Sequence, residues 1–485
     1  MSGGTLSMSA GSSANVAGSS NAVTTGANVT VTLNGNANVL TGAAGDVVTV
    51  NGANSQVFMS NATLTAGAGS SVWLTGSADT ANALGGNTLV AVVGNTDTVN
   101  GGAGDAVWVN GQSVAVNMSG GTVHALAGSS FNAIGNNDVL TTGTNVTVGA
   151  VGNSDTIYGD TGDSVWVNGQ SVAVNVSGGT IHALVGSSLT ATGNNDALTT
   201  AANVALGIVG NSNTLYGNTG DVVTVNGANS QVFMSNATLM AGAGSSVWLT
   251  GNADTANALG GNTEVSVVGN TDTVNGAASD TVWVNGQSLA VNMSGGSLYA
   301  LAGSNVATTG NNDVITTGTN VTLGIVGNGE TIWGNAGDLV SINGTSNQIT
   351  MSNATLTASA GSSVWLYGNS DTTNASGSGA TIAVVGNSDT VNSAAGNTVW
   401  ASGQSIAVNM SGGSKYVLSG SSFSASGDNN SITTGTNVTL NVSGNGNAVL
   451  GNTGDIVQAN GLNNQIEMSS ATLAASGGEQ RVANR

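Results

Sequence analysis

The chain has no cysteine and no proline, and only 3 of its 485 residues are lysine or arginine. Without cysteine there are no disulfides and no thiolate metal sites. With 23 acids and a formal charge of −20, nothing can neutralise a row of phosphates, which excludes a nucleic-acid partner, and an anionic membrane surface repels the chain. No apolar run reaches the ~18 residues of a membrane span, so no membrane insertion is expected. The opening residues, MSGGTLSMSAGSS, have neither a basic start nor an apolar stretch, so no secretion signal of the usual form is present. Charged residues make up 5% of the chain, far below the roughly 25% of an ordinary soluble domain. Lack of proline fits a backbone paired throughout, where few positions can spare an N–H.

What is present is glycine, 76 residues of it, among evenly spread aliphatics. A hydrophobic content of 39% and a mean hydropathy of +0.16 are not those of a disordered chain, which combines low hydrophobicity with high charge.

The sequence repeats. A Gly-Asn pair stands at Gly35, Gly94, Gly152, Gly210, Gly269, Gly327, Gly386 and Gly444, at intervals of 58 or 59 residues. Two variants of the unit exist. VWVNGQSVAVNMSGG or a near copy begins at Val107, Val165, Val282 and Val399; NGANSQVFMSNATL or a near copy begins at Asn51, Asn226, Asn343 and Asn460. From Asn226 onward they alternate with a 117-residue period. Each unit divides again: Gly152, Gly169, Gly193 and Gly210 are separated by 17, 24 and 17 residues. Within these steps β-branched residues alternate with small polar ones, as in Val165-Trp166-Val167, and Gly, Asn and Asp interrupt them. That is the pattern of short strands and tight turns, with no 3.6-residue apolar stripe.

These spacings predict an all-β fold: a single long parallel β-solenoid over residues 1–478, with about three coils per 58–59-residue unit and no capping domains, then a short polar tail at 479–485. Roughly 25 coils at ~4.8 Å each would stack inward columns of Val, Ile, Leu and Ala, with glycine at the corners and asparagine in amide ladders. A sandwich or barrel is the competing fold, but it does not require so strict a register. The first residues already align with Met118-Ser119-Gly120-Gly121, so the chain begins inside a coil. An uncapped terminal coil offers open strand edges, which suggests end-to-end polymerisation; the alternative is a piece of a longer repeat protein.

Three residue sets are candidates for chemistry. His124 and His182 share a repeat position with Tyr299, Tyr416 and Ser7, which argues against a general base and for a structural role. The acids fall in two series, one three places after a coil-starting glycine and one eleven places after the Gly-Asn glycine. Asp97, Asp138, Asp155, Asp196 and Asp272 stand in the first, and Asp105, Asp163 and Asp280 in the second. Stacked carboxylates repel, so such columns imply solvent-exposed turns, intervening asparagine or bridging cations, and these eight are the candidate metal ligands. Trp108, Trp166, Trp283 and Trp400 share one position and Trp73, Trp248 and Trp365 another. Each lies between aliphatics, so an inward Val pair turns the Trp outward, as an interaction surface for other rods or for sugars. Thr-rich strands such as that at residues 144–148 raise ice binding, but the motif recurs only once per unit.

The passages Gly101-Gly-Ala-Gly-Asp105 and Gly159-Asp-Thr-Gly-Asp163 resemble the Gly- and Asp-rich repeats of secreted bacterial RTX proteins. Both are one residue short of that nonapeptide, and its nine-residue tandem period is missing. The resemblance implies calcium as a cofactor and secretion without an N-terminal signal. A likeness to large secreted β-strand-repeat proteins, adhesins included, points the same way. The expectation is therefore a non-enzymatic extracellular or cell-surface protein that self-assembles head to tail into a filament, matrix fibre or surface layer. The alternative is the stalk or binding face of a secreted adhesin for glycans or ice, with calcium dependence.

Overall fold

The computed structural model describes residues 1–476 and the backbone of Arg481–Asn484. Among the described residues the chain is an all-β parallel solenoid of about 28 turns with no helix. It divides into two compact units, Met1–Met240 and Ala241–Arg485.

A turn of the first unit shows how the sequence builds it. Strand Thr147–Val151 ends at the corner Gly152-Asn-Ser-Asp155, and strand Thr156–Tyr158 returns along the other side. The corner at residues 159–163 then delivers strand Ser164–Asn168, which pairs in parallel with Thr147–Val151, Thr147 opposite Ser164. Alternation puts Val148, Ala150, Ile157, Val165 and Val167 inward, each with no exposed surface. Each turn is thus two strands facing each other across a thin aliphatic core, and each strand hydrogen-bonds to its counterpart a turn away. The second unit is built the same way, for example from Thr281–Asn285 onto Ser297–Ala300 and then Val314–Thr317.

One expectation needs correction. The 17-residue steps are single turns, but the 24-residue step is not. Between Gly169 and Gly193 lie three strands, Val172–Asn175, Thr180–Ala183 and Ser188–Thr192, hence one and a half turns. The repeat unit is three and a half turns rather than three. Seven strands is an odd number, so in the first unit the near-identical strands Ala106–Asn110 and Ser164–Asn168 lie in opposite sheets. The longer step arises because two compact corners follow one another there, which moves the Gly-Asn corners to the other edge of the solenoid. In the first unit they occupy one edge at Gly135, Gly152 and Gly169 and the opposite edge at Gly193, Gly210 and Gly227. The second unit changes edge in the same way between Gly286 and Gly310.

Of the tail expected at 479–485, residues 479, 480 and 485 lie outside the described residues. Arg481–Asn484 pairs in parallel with Gln465–Met468.

Candidate functional site

The Gly-Asn corners are the most constrained part of each turn. A Cβ on Gly152 would stand 1.4 Å from the carbonyl oxygen of Gly135, and one on Gly169 would stand 1.5 Å from that of Gly152, so only glycine lets successive corners touch. The asparagine that follows accepts the corner N–H of the next turn: Asn153 donates its amide to the Asn136 side chain at 2.7 Å, and Gln170 to that of Asn153 at 2.8 Å. The next residue takes a left-handed φ near 60° (Asn137, Ser154), which asparagine and serine tolerate better than bulkier residues.

The fourth corner residue is the acid of the first series, and it points inward. Asp97, Asp138, Asp155, Asp196 and Asp272 are each at most 3% exposed. Asp155 Oδ1 accepts the amide of Asp138 at 3.0 Å, and Asp138 Oδ1 accepts that of Gly121 at 3.0 Å. Asp97 holds the amide of Asp79, Asp196 that of Gly179, and Asp272 that of Asp254, each at 2.9 Å. Burial pushes the carboxyls of Asp138 and Asp196 up to about 6 and also raises Asp97, Asp155 and Asp272.

The second series is buried as well, with both oxygens engaged. Asp163 Oδ1 accepts the amide of Val146 at 2.8 Å, while Oδ2 accepts the amide of Asp160 at 2.7 Å and the Thr142 hydroxyl. Asp105 takes the amides of Thr88 and Gly102, and Asp280 those of Thr263 and Ala277. These aspartates are corner staples, each tying its own loop to the turn before. They include the two passages that resemble RTX repeats. The stacked acids are therefore not on solvent-exposed turns: all described acids except Asp160, Glu264, Asp428 and Glu467 are buried. Nor do three acids converge anywhere among the described residues. With the second series committed to backbone amides, adding a calcium chelator to the full chain should leave its thermal midpoint unchanged. A drop of several degrees would instead assign an ion to these corners.

The tryptophans face outward. Trp73, Trp108, Trp166, Trp248, Trp365 and Trp400 are 40–49% exposed, and Trp283 is half-buried. The spacing from Trp to the His or Tyr of the same unit is always 16 residues, one turn, so the rings meet. Trp166 stacks on His182 at 4.1 Å, Trp283 on Tyr299 at 4.1 Å and Trp400 on Tyr416 at 4.3 Å, while Trp108 meets His124 at a tilt, 5.2 Å away. This explains why His and Tyr interchange: where a Trp stands one turn before, the position holds a flat ring. The constant 16-residue interval was the signal in the sequence, visible once it is read as a single turn. His124 and His182 each bond a threonine hydroxyl one turn on, Thr141 and Thr199. Trp333, 52% exposed, also faces outward.

In the second unit the rings segregate. Trp248, Trp283, Tyr299, Trp333, Trp365, Tyr367, Trp400 and Tyr416 all project from one sheet, and among the described residues the opposite sheet turns no aromatic ring outward. That sheet carries threonine and asparagine in register, such as Asn257, Asn275 and Asn292, whose side-chain amides form a ladder with 2.8 Å bonds.

A shallow hollow of about 460 Å³ lies over Gly135, Gly152 and Gly169, and no ionisable side chain lines it. No known protein family matches the sequence, and no curated protein does. Among solved structures the chain is similar to the PL6-family alginate lyase AlyGC, with 7% identity over 89% of this chain and 97% of that one and a TM-score of 0.21. A superposition so loose bears on neither fold nor chemistry.

Proposed function

We propose that the protein is a structural, non-enzymatic one that works by self-assembly outside the cell, as a filament, matrix fibre or surface layer. The observation that supports this most is where the polar groups go. Backbone, corner asparagines and buried acids all bond from one turn to the next, so each unit is organised for cohesion between successive turns. Among the described residues strand Thr5–Met8 pairs only with Ala22–Thr25, and Ser13–Ala17 only with Thr30–Asn34. Every turn presents its backbone groups at the same pitch, so a coil of a second copy could continue the ladder wherever an outer strand edge is open. The aromatic sheet of the second unit supplies lateral contacts, aided by the near absence of surface charge.

Electron microscopy of the purified chain should show fibres many molecules long, with a meridional reflection near ~4.8 Å. A particle that stays monomeric at high concentration, by sedimentation, would overturn the reading. A second reading is favoured by the outward rings alone: exposed indoles such as Trp333, 52% exposed, suit the faces of neutral sugars, as on an adhesin. Extracellular placement rests on the composition and on the RTX-like likeness.

A further inference from the structure

We infer that the stacked acids of the Gly-Asn corners are proton-binding sites of the folded solenoid, so that mild acidification stabilises it. The geometry is clearest at Asp371 and Asp389, which are 1% and 2% exposed and one turn apart. Asp371 Oδ1 accepts the amide of Ala354 at 2.9 Å, and Asp389 Oδ1 accepts that of Asp371 at 2.9 Å. The second oxygen of each is buried and has no partner. Gly368 and Gly386 lie against these oxygens, 2.6 and 2.7 Å from where a Cβ would be. The charge facing Asp371 is Asp389, and no basic side chain faces either among the described residues: Lys415 is bonded elsewhere, to backbone carbonyls. The same arrangement recurs at Asp79 and Asp97, and Glu330 also leaves a buried oxygen unpartnered above Asp313.

The chain contains its own controls. At Asn21 and Asn38, and at Asn430 and Asn447, the same stacked positions are amides. Asn21 Oδ1 accepts the amide of Gly4 as the aspartates do, while its Nδ2 donates to Gly18 O at 3.0 Å and to Asn38 Oδ1 at 3.0 Å. Asn430 Nδ2 likewise donates to Asn447 Oδ1 at 3.0 Å. At Asn21, Asn38 and Asn430 the corner thus uses one acceptor and one donor, whereas the buried Nδ2 of Asn447 finds no partner. A carboxylate supplies the acceptor only, whereas a carboxylic acid supplies both, its O–H standing where the amide nitrogen does. Burial, opposed by one backbone amide and reinforced by the neighbouring acid, raises Asp371 to about 7 and Asp79 to about 6. Burial likewise raises Glu330 to about 7, against two backbone amides and with Asp313 beside it, and Asp313 to about 6 against two backbone amides.

Between the ordinary carboxyl range and these raised values the folded chain holds protons that the unfolded chain has released, so stability falls as pH rises through that window. Thermal unfolding of the full chain should show a midpoint at least about 5 °C higher at pH 5 than at pH 8. The double variant Asp371→Asn/Asp389→Asn should unfold at a higher temperature than wild type at pH 8 and show a shallower pH dependence. Infrared spectroscopy provides a direct readout: a protonated-carboxyl band persists in the folded protein at pH 6.5 and weakens in the variant. A wild-type midpoint that is flat or falls from pH 8 to pH 5 would overturn the inference. So would a missing infrared band, or a variant with the full wild-type slope.

Discussion

Replacing Lys415 with leucine raises the stability of the turns around it, by about 3 kcal/mol at pH 7. Lys415 is the largest fully buried side chain among the described residues and sits in an inward column, between Val399 and Ile432. Its Nζ reaches the carbonyl oxygens of Ser426 at 3.1 Å, Met410 at 3.4 Å and Val408 at 3.5 Å, with no acid beside it. Burial lowers its pKa from 10.5 to about 8, and every tenfold weakening of proton affinity corresponds to about 1.4 kcal/mol. The unfolded chain keeps this proton to higher pH than the folded one, so stability rises between pH 8 and pH 10.5 and is lowest, as far as this group is concerned, below pH 8. The equivalent positions are Val123, Ile181 and Leu298, so leucine fits the site. Denaturant unfolding at pH 7, read by hydrogen exchange in strands Thr398–Ser402 to Ser431–Thr434, measures the gain. A variant less stable than wild type would mean the carbonyl cage is worth more than the desolvation it requires.

The opposite extreme is Gly152→Ala. The new methyl would stand 1.4 Å from Gly135 O and 3.0 Å from Asp155 Oδ2, and backbone cannot yield by that much without parting two turns. A loss above about 4 kcal/mol is expected, appearing as local exchange and proteolysis at that edge. Gly128→Ala is the matched control. It has a left-handed φ of 76° but nothing within 4 Å of the new Cβ, so it bears only the conformational cost of about 1–2 kcal/mol. Equal effects of the two substitutions would refute the idea that corner contact, and not dihedral strain, is what demands glycine there.

Much of this architecture was legible from spacing. Alternation in Val165-Trp166-Val167 gave the inward and outward residues, and the 17-residue step gave one turn. The 24-residue step misleads because the Gly-Asn pair marks only one kind of corner, while those at 176–179 and 184–187 carry Gly178-Gly179 and Gly186 without the asparagine. The acids were harder. Asp138 and Asp155 resemble solvated turn residues in sequence, since burial of a carboxylate is unusual and its amide partners lie on other turns, at Gly121 and Asp138. Their stacking was foreseeable; their enclosure was not, because it depends on how closely Gly135 and Gly152 bring the backbones together. Lys415 gave no signal beyond its place in the GSKYVL copy of GSLYAL.

A repeat of seven strands has a consequence for how such a chain can lengthen. Adding one 58-residue copy exchanges the two sides for everything downstream, so rings that lay on one flank reappear on the other; adding two copies restores them. The consecutive VWVNGQ copies at Val107 and Val165 are such an odd step: in the first unit Trp73 and Trp108 lie on one flank, Trp166 on the other. Parity of copy number, rather than copy number itself, decides whether a flank of uniform chemistry survives growth by duplication.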